Sequence, residues 1–175
     1  MPADLYQLKR TPFHERTSRL CLPQNWRRWA GYIAVGSYDL GLEREYWAIR
    51  DGAALIDVSP LMKYLIEGPD AARLLHRVTP RNVHKMSVGQ VSYTGWCDEE
   101  GKLLDDGTIT RLAGDRFRLT SAEPSLRWLH MNAVGMDVRI TERTDQMAAL
   151  SLQGPKSRAV LNGCCAQPVD GLKYF

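Results

Sequence analysis

The chain has 175 residues, enough for a domain with a substantial core, and its 44% hydrophobic and 25% charged content is that of an ordinary globular protein. A net charge of +3 with no Lys/Arg block interleaved with aromatics argues against nucleic acid as a partner, and the adjacent Arg27 and Arg28 read as a solvated surface pair. No apolar run is long enough to span a bilayer and the start, MPADLYQLKR, lacks a signal-peptide core, so no membrane partner and a cytoplasmic location are expected.

Residues 1–40 are expected to be an irregular N-terminal segment that packs on the domain formed by 41–175. Within it, TPFHERTSRL suits a short helix with Pro12 in its first turn, and WRRWAGYIAVGSYD suits extended structure. A helix is expected from about Leu42 to Arg50 with Asp39 as a possible cap. ALIDVS and MKYLIEG read as two strands broken at Pro60, where Asp57 could cap the turn. GPDAARLLHRV switches to helical spacing through Ala72, Leu75 and Val78, with Pro69 in the first turn. QVSYTGWC and KLLDDGTITRL flank DEEG, a hairpin signal, and DRFRLTS is a third strand. PSLRWLHMNAVG reads as a helix with Leu126, Leu129, His130 and Ala133 on one stripe, ended by Gly135; His130 is expected to be packed there. MDVRIT and MAALSLQG are further strands, and PKSRAVLNG is a last helix closed by Gly163.

One internal repeat is visible. YLIEGPDAARLL (64–75) matches LSLQGPKSRAVL (150–161), aligning Gly68 with Gly154 and Pro69 with Pro155. Any strand-to-helix turn can use Gly-Pro, but the flanking apolar positions also match, which favours a duplicated β-α unit placed twice in one sheet. The sum is an α+β domain with mostly antiparallel strands. It has no G-x-G-x-x-G or P-loop lysine motif, so a phosphate-cradling Gly-rich loop has no support.

The stretch GKLLDDGTITRL holds the most suggestive chemistry. Strand alternation sorts it into Leu104, Asp106, Thr108, Thr110 and Leu112 on one face, and Leu103, Asp105, Gly107, Ile109 and Arg111 on the other. The first face, apolar residues with two hydroxyls and one acid, suits a ligand-cavity wall. Periodicity leaves the choice open, because both acids could equally be exposed strand-end residues near a hairpin. Tyr93 and Trp96 lie on the paired strand and alternate, so at most one shares the cavity face. The four histidines lack metal-ligand spacing, Cys21, Cys97, Cys164 and Cys165 form no C-x-x-C pair, and no metal site is expected. Ser59 lacks the G-x-S-x-G setting of a nucleophile.

Taken together, RTPFHERT, EREYWAIRDGAALIDVSPLMKYLIEGPDAARLL, SYTGWCDEEGKLLDDGTITRL and ALSLQGPKSRAVL occur in the order seen in a known family. The chain resembles the N-terminal half of the glycine-cleavage T-protein, the tetrahydrofolate-dependent aminomethyltransferase, and its wider folate-binding superfamily. The resemblance implies an aminomethyltransferase-type folate-binding domain of duplicated β-α units, whose second half and C-terminal barrel lie outside this sequence. It implies tetrahydrofolate as cofactor and a lipoyl carrier protein or a small molecule as one-carbon donor. It maps the catalytic carboxylate onto Asp106, and pocket residues onto Tyr93, Thr108 and Thr110. Pro60 stands where T-proteins typically have His, and DDGT and IEGPDAA look closer to sarcosine-oxidase-like enzymes and folate-dependent demethylases. A demethylase of a small N-, O- or S-methylated compound is therefore an alternative expectation, and a non-catalytic folate-binding or interaction module is another.

Overall fold

A computed structural model describes residues 8–173, which divide into two compact units. One unit holds the described residues up to Pro60 and those from Ala148 onward; the other is Leu61–Met147.

In the first unit, β1 (Lys9–Arg10), β2 (Trp26–Trp29) and β3 (Tyr32–Val35) form a sheet in the order β1-β3-β2. Ala30 and Gly31 link β2 to β3 with φ of 46° and 83°, the pair of left-handed residues that lets a tight hairpin follow the strand twist. Between β1 and β2, α1 (His14–Thr17) starts after Phe13, so Pro12 precedes the helix instead of occupying its first turn. Next comes α2 (Leu42–Asp51), with Gly41 at its N-cap and not Asp39. Asp39 sits too far back; its carboxylate takes the Leu40 amide at 2.7 Å and Arg44 at 3.2 Å. Glu45 instead reaches back to the amides of Tyr38 and Asp39, satisfying donors ahead of the helix. Then β4 (Ala54–Asp57) pairs antiparallel with β10 (Leu150–Gln153), and α5 (Ser157–Cys164) follows β10, running through Gly163 instead of stopping before it. Asp57 does cap its turn: it accepts the Ser59 amide at 3.0 Å and the Thr11 hydroxyl at 2.5 Å.

The second unit is one antiparallel sheet with helices on one face. Its strands are β5 (Met62–Glu67), β6 (Val91–Cys97), β7 (Leu103–Ala113), β8 (Arg116–Ser121) and β9 (Arg139–Glu142), in the order β6-β7-β8-β5-β9. α3 (Ala71–Val78) leaves β5, and α4 (Leu126–Asn132) leaves β8. The register places Tyr64 and Ile66 beside Leu119 and Phe117, and Phe117 and Leu119 beside Arg111 and Ile109. Tyr64, Ile66, Ile109, Phe117 and Leu119 are all buried, so this face is the core. The stripe that α3 buries is Ala71, Leu74, Leu75 and Val78; Ala72, about a 100° step round the helix from Ala71, lies at its edge and is half-buried. In α4 only Leu129 is buried, and His130, next to it round the helix, is exposed, so the inward face is centred on Leu129 and does not extend to His130.

Candidate active site

The face of the five-stranded sheet opposite the core carries the site. Side chains directly across an antiparallel pair point the same way. Tyr93 faces Thr108, Gly95 faces Asp106, and Val91 faces Thr110. Tyr93, Asp106, Thr108 and Thr110 therefore share one face, and the Tyr93 hydroxyl donates to Asp106 Oδ2 at 2.6 Å. A Cβ at Gly95, opposite Asp106, would meet Leu103 Cδ1 at 3.0 Å. Arg81 Nε holds the Tyr93 carbonyl at 2.9 Å and steadies β6 at this point.

The phenol is pushed up from its usual pKa. The main cause is the hydrogen bond it gives to Asp106, followed by the charge of that carboxylate, since a phenolate there would face a like charge. Tyr93 therefore remains a hydrogen-bond donor across the neutral range. Among the described residues, Asp106 Oδ1 has no hydrogen-bond partner, so one oxygen is oriented and the other is available. Thr110 is buried, and its hydroxyl lies 3.4 Å from an Arg118 nitrogen; Thr108 is half-buried beside Thr120 on β8.

The neighbouring acid has a different task. Asp105 lies on the core-side face opposite Trp96, which is buried. Its carboxylate accepts the Asp106 amide at 2.8 Å and the Glu123 amide at 2.9 Å, tying β7 to the segment after β8. Both acids are thus partnered, and neither is a free strand-end residue. Gly107, between them and the threonines, has a packing reason: a Cβ there would lie 1.8 Å from the Thr120 carbonyl oxygen. Its presence follows from the close approach of β7 and β8.

Reading the sequence alone missed Arg118, whose side chain joins this face. The signal was available in RFRLTS: Phe117, Leu119 and Ser121 are buried, and Arg116, Arg118 and Thr120 alternate with them.

The geometry is thus a tyrosine-oriented carboxylate on the open face of an antiparallel sheet in an α+β domain. The sequence profile of the GCVT N-terminal domain matches residues 15–175, and the chain belongs to that family. It is 31% identical to an aminomethyltransferase of Lysinibacillus sphaericus, over 97% of this chain and 46% of that protein. It is 34% identical to a trimethylamine-oxide aldolase of Ruegeria pomeroyi, over 87% of this chain and 20% of that protein. The crystal structure of glycine cleavage system aminomethyltransferase T from Bartonella henselae superposes with a TM-score of 0.80 at 28% identity, covering 96% of this chain and 46% of that one. The fold is the aminomethyltransferase-type α+β fold, with two β-α units of the same local design. The chain spans about half the length of the aminomethyltransferase relatives it matches. No helix among the described residues is long and apolar enough to cross a membrane.

Proposed function

We propose that this chain forms one wall of the active site of a tetrahydrofolate-dependent one-carbon transferase, of the aminomethyltransferase type. In this reading residues 41–175 are the N-terminal part of the folate-binding domain and 1–40 its leading segment. Asp106 is the catalytic carboxylate, and Tyr93, Thr108 and Thr110 line the cofactor's place. The observation that carries the reading is the Tyr93–Asp106 hydrogen bond of 2.6 Å on an open sheet face. The donor set fits the group: half of the Tyr93 surface is exposed, offering a flat aromatic surface, with a carboxylate and two hydroxyls nearby for ring nitrogens and amines.

Tetrahydrofolate, when bound, supplies the nitrogen that accepts the one-carbon unit. The chain's own residues handle protons and charge. Tyr93 fixes the carboxylate's rotation and leaves Asp106 Oδ1 free to accept an N–H. At that atom the carboxylate orients an amine, takes its proton, or faces positive charge that develops on nitrogen during transfer. Because Tyr93 already donates to it, Asp106 is held in place before substrate arrives. A lipoyl carrier protein or a small methylated amine is the donor class this chemistry fits.

Replacing Asp106 by Asn keeps the shape and removes the charge. In the full chain, Asp106→Asn is expected to retain tetrahydrofolate binding, read by quenching of tryptophan fluorescence, and to lose turnover by about 100-fold or more. Undiminished turnover would remove Asp106 from the catalytic role. The 34% identity to a trimethylamine-oxide aldolase favours a second reading, a folate-dependent demethylase. Product analysis separates the two. Formation of 5-methyl-tetrahydrofolate, or of 5,10-methylene-tetrahydrofolate with a demethylated amine and no ammonia, supports demethylation, and 5,10-methylene-tetrahydrofolate with ammonia supports aminomethyl transfer.

A further inference from the structure

The open sheet face continues past Thr110 into a cleft of about 230 Å³ within the second unit, smaller than a whole cofactor needs. Lys63, Arg116, Arg118 and Arg143 line it together with apolar Leu65 and Met147, and no carboxylate is among its lining residues. Arg116 already faces Glu67 at 3.1 Å. Among the described residues, Arg118 and Arg143 do not meet an acid. Arg118 lies 3.4 Å from the Thr110 hydroxyl, a long contact, and 3.5 Å from Met147 sulfur, and both partners are neutral. Arg143 donates to the Gln146 amide oxygen at 2.5 Å, also neutral. Both residues are half-buried. A guanidinium stays charged at any physiological pH, and two partly desolvated ones without a counter-charge make an anion site. Their planar forks match a carboxylate.

Position then narrows the ligand. Arg118 pairs across from Thr110, four residues along β7 from Asp106 on the same face, a span of about 13 Å. An amino-acid-sized molecule does not bridge that distance, whereas an elongated one does. We infer that the Arg118–Arg143 cleft is a carboxylate-binding site that holds the acid end of an elongated ligand whose reacting nitrogen lies at Asp106. The second half of this statement rests on the proposed function; the carboxylate site itself does not. The carboxylate of such a ligand is the glutamyl end of a folate-class cofactor; a free methylated amino acid lodged in the cleft is the competing outcome that the test separates.

The test titrates the full chain with tetrahydrofolate, with tetrahydropteroate (the same rings without the glutamyl group) and with N,N-dimethylglycine. Arg118→Gln, Arg143→Gln and the double variant are titrated in parallel, with melting midpoints as the check on folding. Wild type is expected to bind tetrahydrofolate at least tenfold more tightly than tetrahydropteroate. Each single variant narrows that ratio, the double variant brings it within twofold, and tetrahydropteroate affinity stays constant throughout. If the ratio persists while N,N-dimethylglycine binding falls tenfold in the variants, the carboxylate site stands and its placement on an elongated ligand is overturned. Unchanged affinity for both acids in every folded variant overturns the site. A wild type that binds neither folate form defeats the folate reading. N,N-dimethylglycine then decides alone: a tenfold loss in the variants upholds the site, and no binding or no loss overturns it. The single variants keep the test decisive should the double variant unfold.

Discussion

The two β-α units, β5–α3 and β10–α5, begin alike and end differently. Gly68 and Gly154 take φ of 130° and 117°, and each carbonyl accepts the amide three residues on, from Ala71 at 3.0 Å and Ser157 at 3.1 Å. A Cβ at either glycine would meet a backbone oxygen, Asp137 at 2.6 Å or Gly52 at 2.5 Å. Beyond the turn the likeness stops. β5 is flanked by β8 and β9, and α3 buries Ala71, Leu74, Leu75 and Val78. β10 pairs with β4 alone, in a separate two-stranded sheet, and α5 buries no residue. The repeat is thus placed in two sheets, not in one. A short motif specifies its own turn, because the turn's constraints are local. It does not specify how deeply its helix is buried, because that depends on which other strands and helices are at hand.

The largest expected contrast lies in the helices. Leu74→Ala removes a fully buried side chain and is expected to cost about 2–5 kcal/mol in urea unfolding. Leu161→Ala, at a position 37% exposed, is expected to cost under about 1 kcal/mol. Equal losses would mean that α5 has a covered face in solution and would erase the contrast.

Substitution at the turns is expected to act equally on both units. Gly68→Ala and Gly154→Ala each force a left-handed residue against a backbone oxygen, for about 1–3 kcal/mol apiece. A loss confined to Gly68→Ala would show that the second turn is not held in the same conformation.

A third variant probes the core of the five-stranded unit. Tyr64 oxygen accepts the Ser125 amide at 2.9 Å, so Tyr64→Phe strands a buried donor and is expected to cost about 1–3 kcal/mol at neutral pH. Burial is the main reason its phenol is pushed up in pKa. The neutral phenol is therefore favoured in the fold. Its contribution is complete below the unfolded value of about 10 and is lost as pH rises through the higher folded value. Alkaline unfolding of the wild type should steepen above that pH, and the Phe variant should lack this component.

The smallest effect on stability is expected at the site. Tyr93 is half-exposed, so Tyr93→Phe should leave the melting midpoint unchanged while releasing Asp106 from its orienting donor. In the reverse direction, Asp106→Asn should bring the Tyr93 phenol down toward its ordinary titration range, followed by ultraviolet absorbance. No downward movement would mean that the hydrogen bond does not persist in solution.

Much of this organisation was legible in the chain. The hairpin of β6 and β7, the Gly-Pro turns and the period-two pattern of β7 are local, and each appears where its residues imply. Helix starts were less legible, since Pro12 and Pro69 precede their helices and Asp39 stands too far ahead of α2 to cap it. His130 was expected inside because it shares a stripe with Leu129, yet the inward face of α4 is narrower than that stripe and His130 is exposed. Gly107, in the DDGT stretch, offered no local reason in sequence for a glycine in mid-strand, and the Thr120 carbonyl shows why no side chain fits.

By itself the sequence determined the alternation of β7, and with it the fact that Asp105 and Asp106 must face opposite ways. It also determined the two Gly-Pro turns, through a backbone conformation that side chains rarely adopt. Only the tertiary structure decided which acid faces the open side. That choice depends on strand register: Trp96 and the Glu123 amide claim Asp105 on the core side, and Tyr93 meets Asp106 on the other. It likewise decided that Arg118 and Arg143, 25 positions apart in the chain, line one cleft, because charge becomes a site only where folding removes water and counter-charge together.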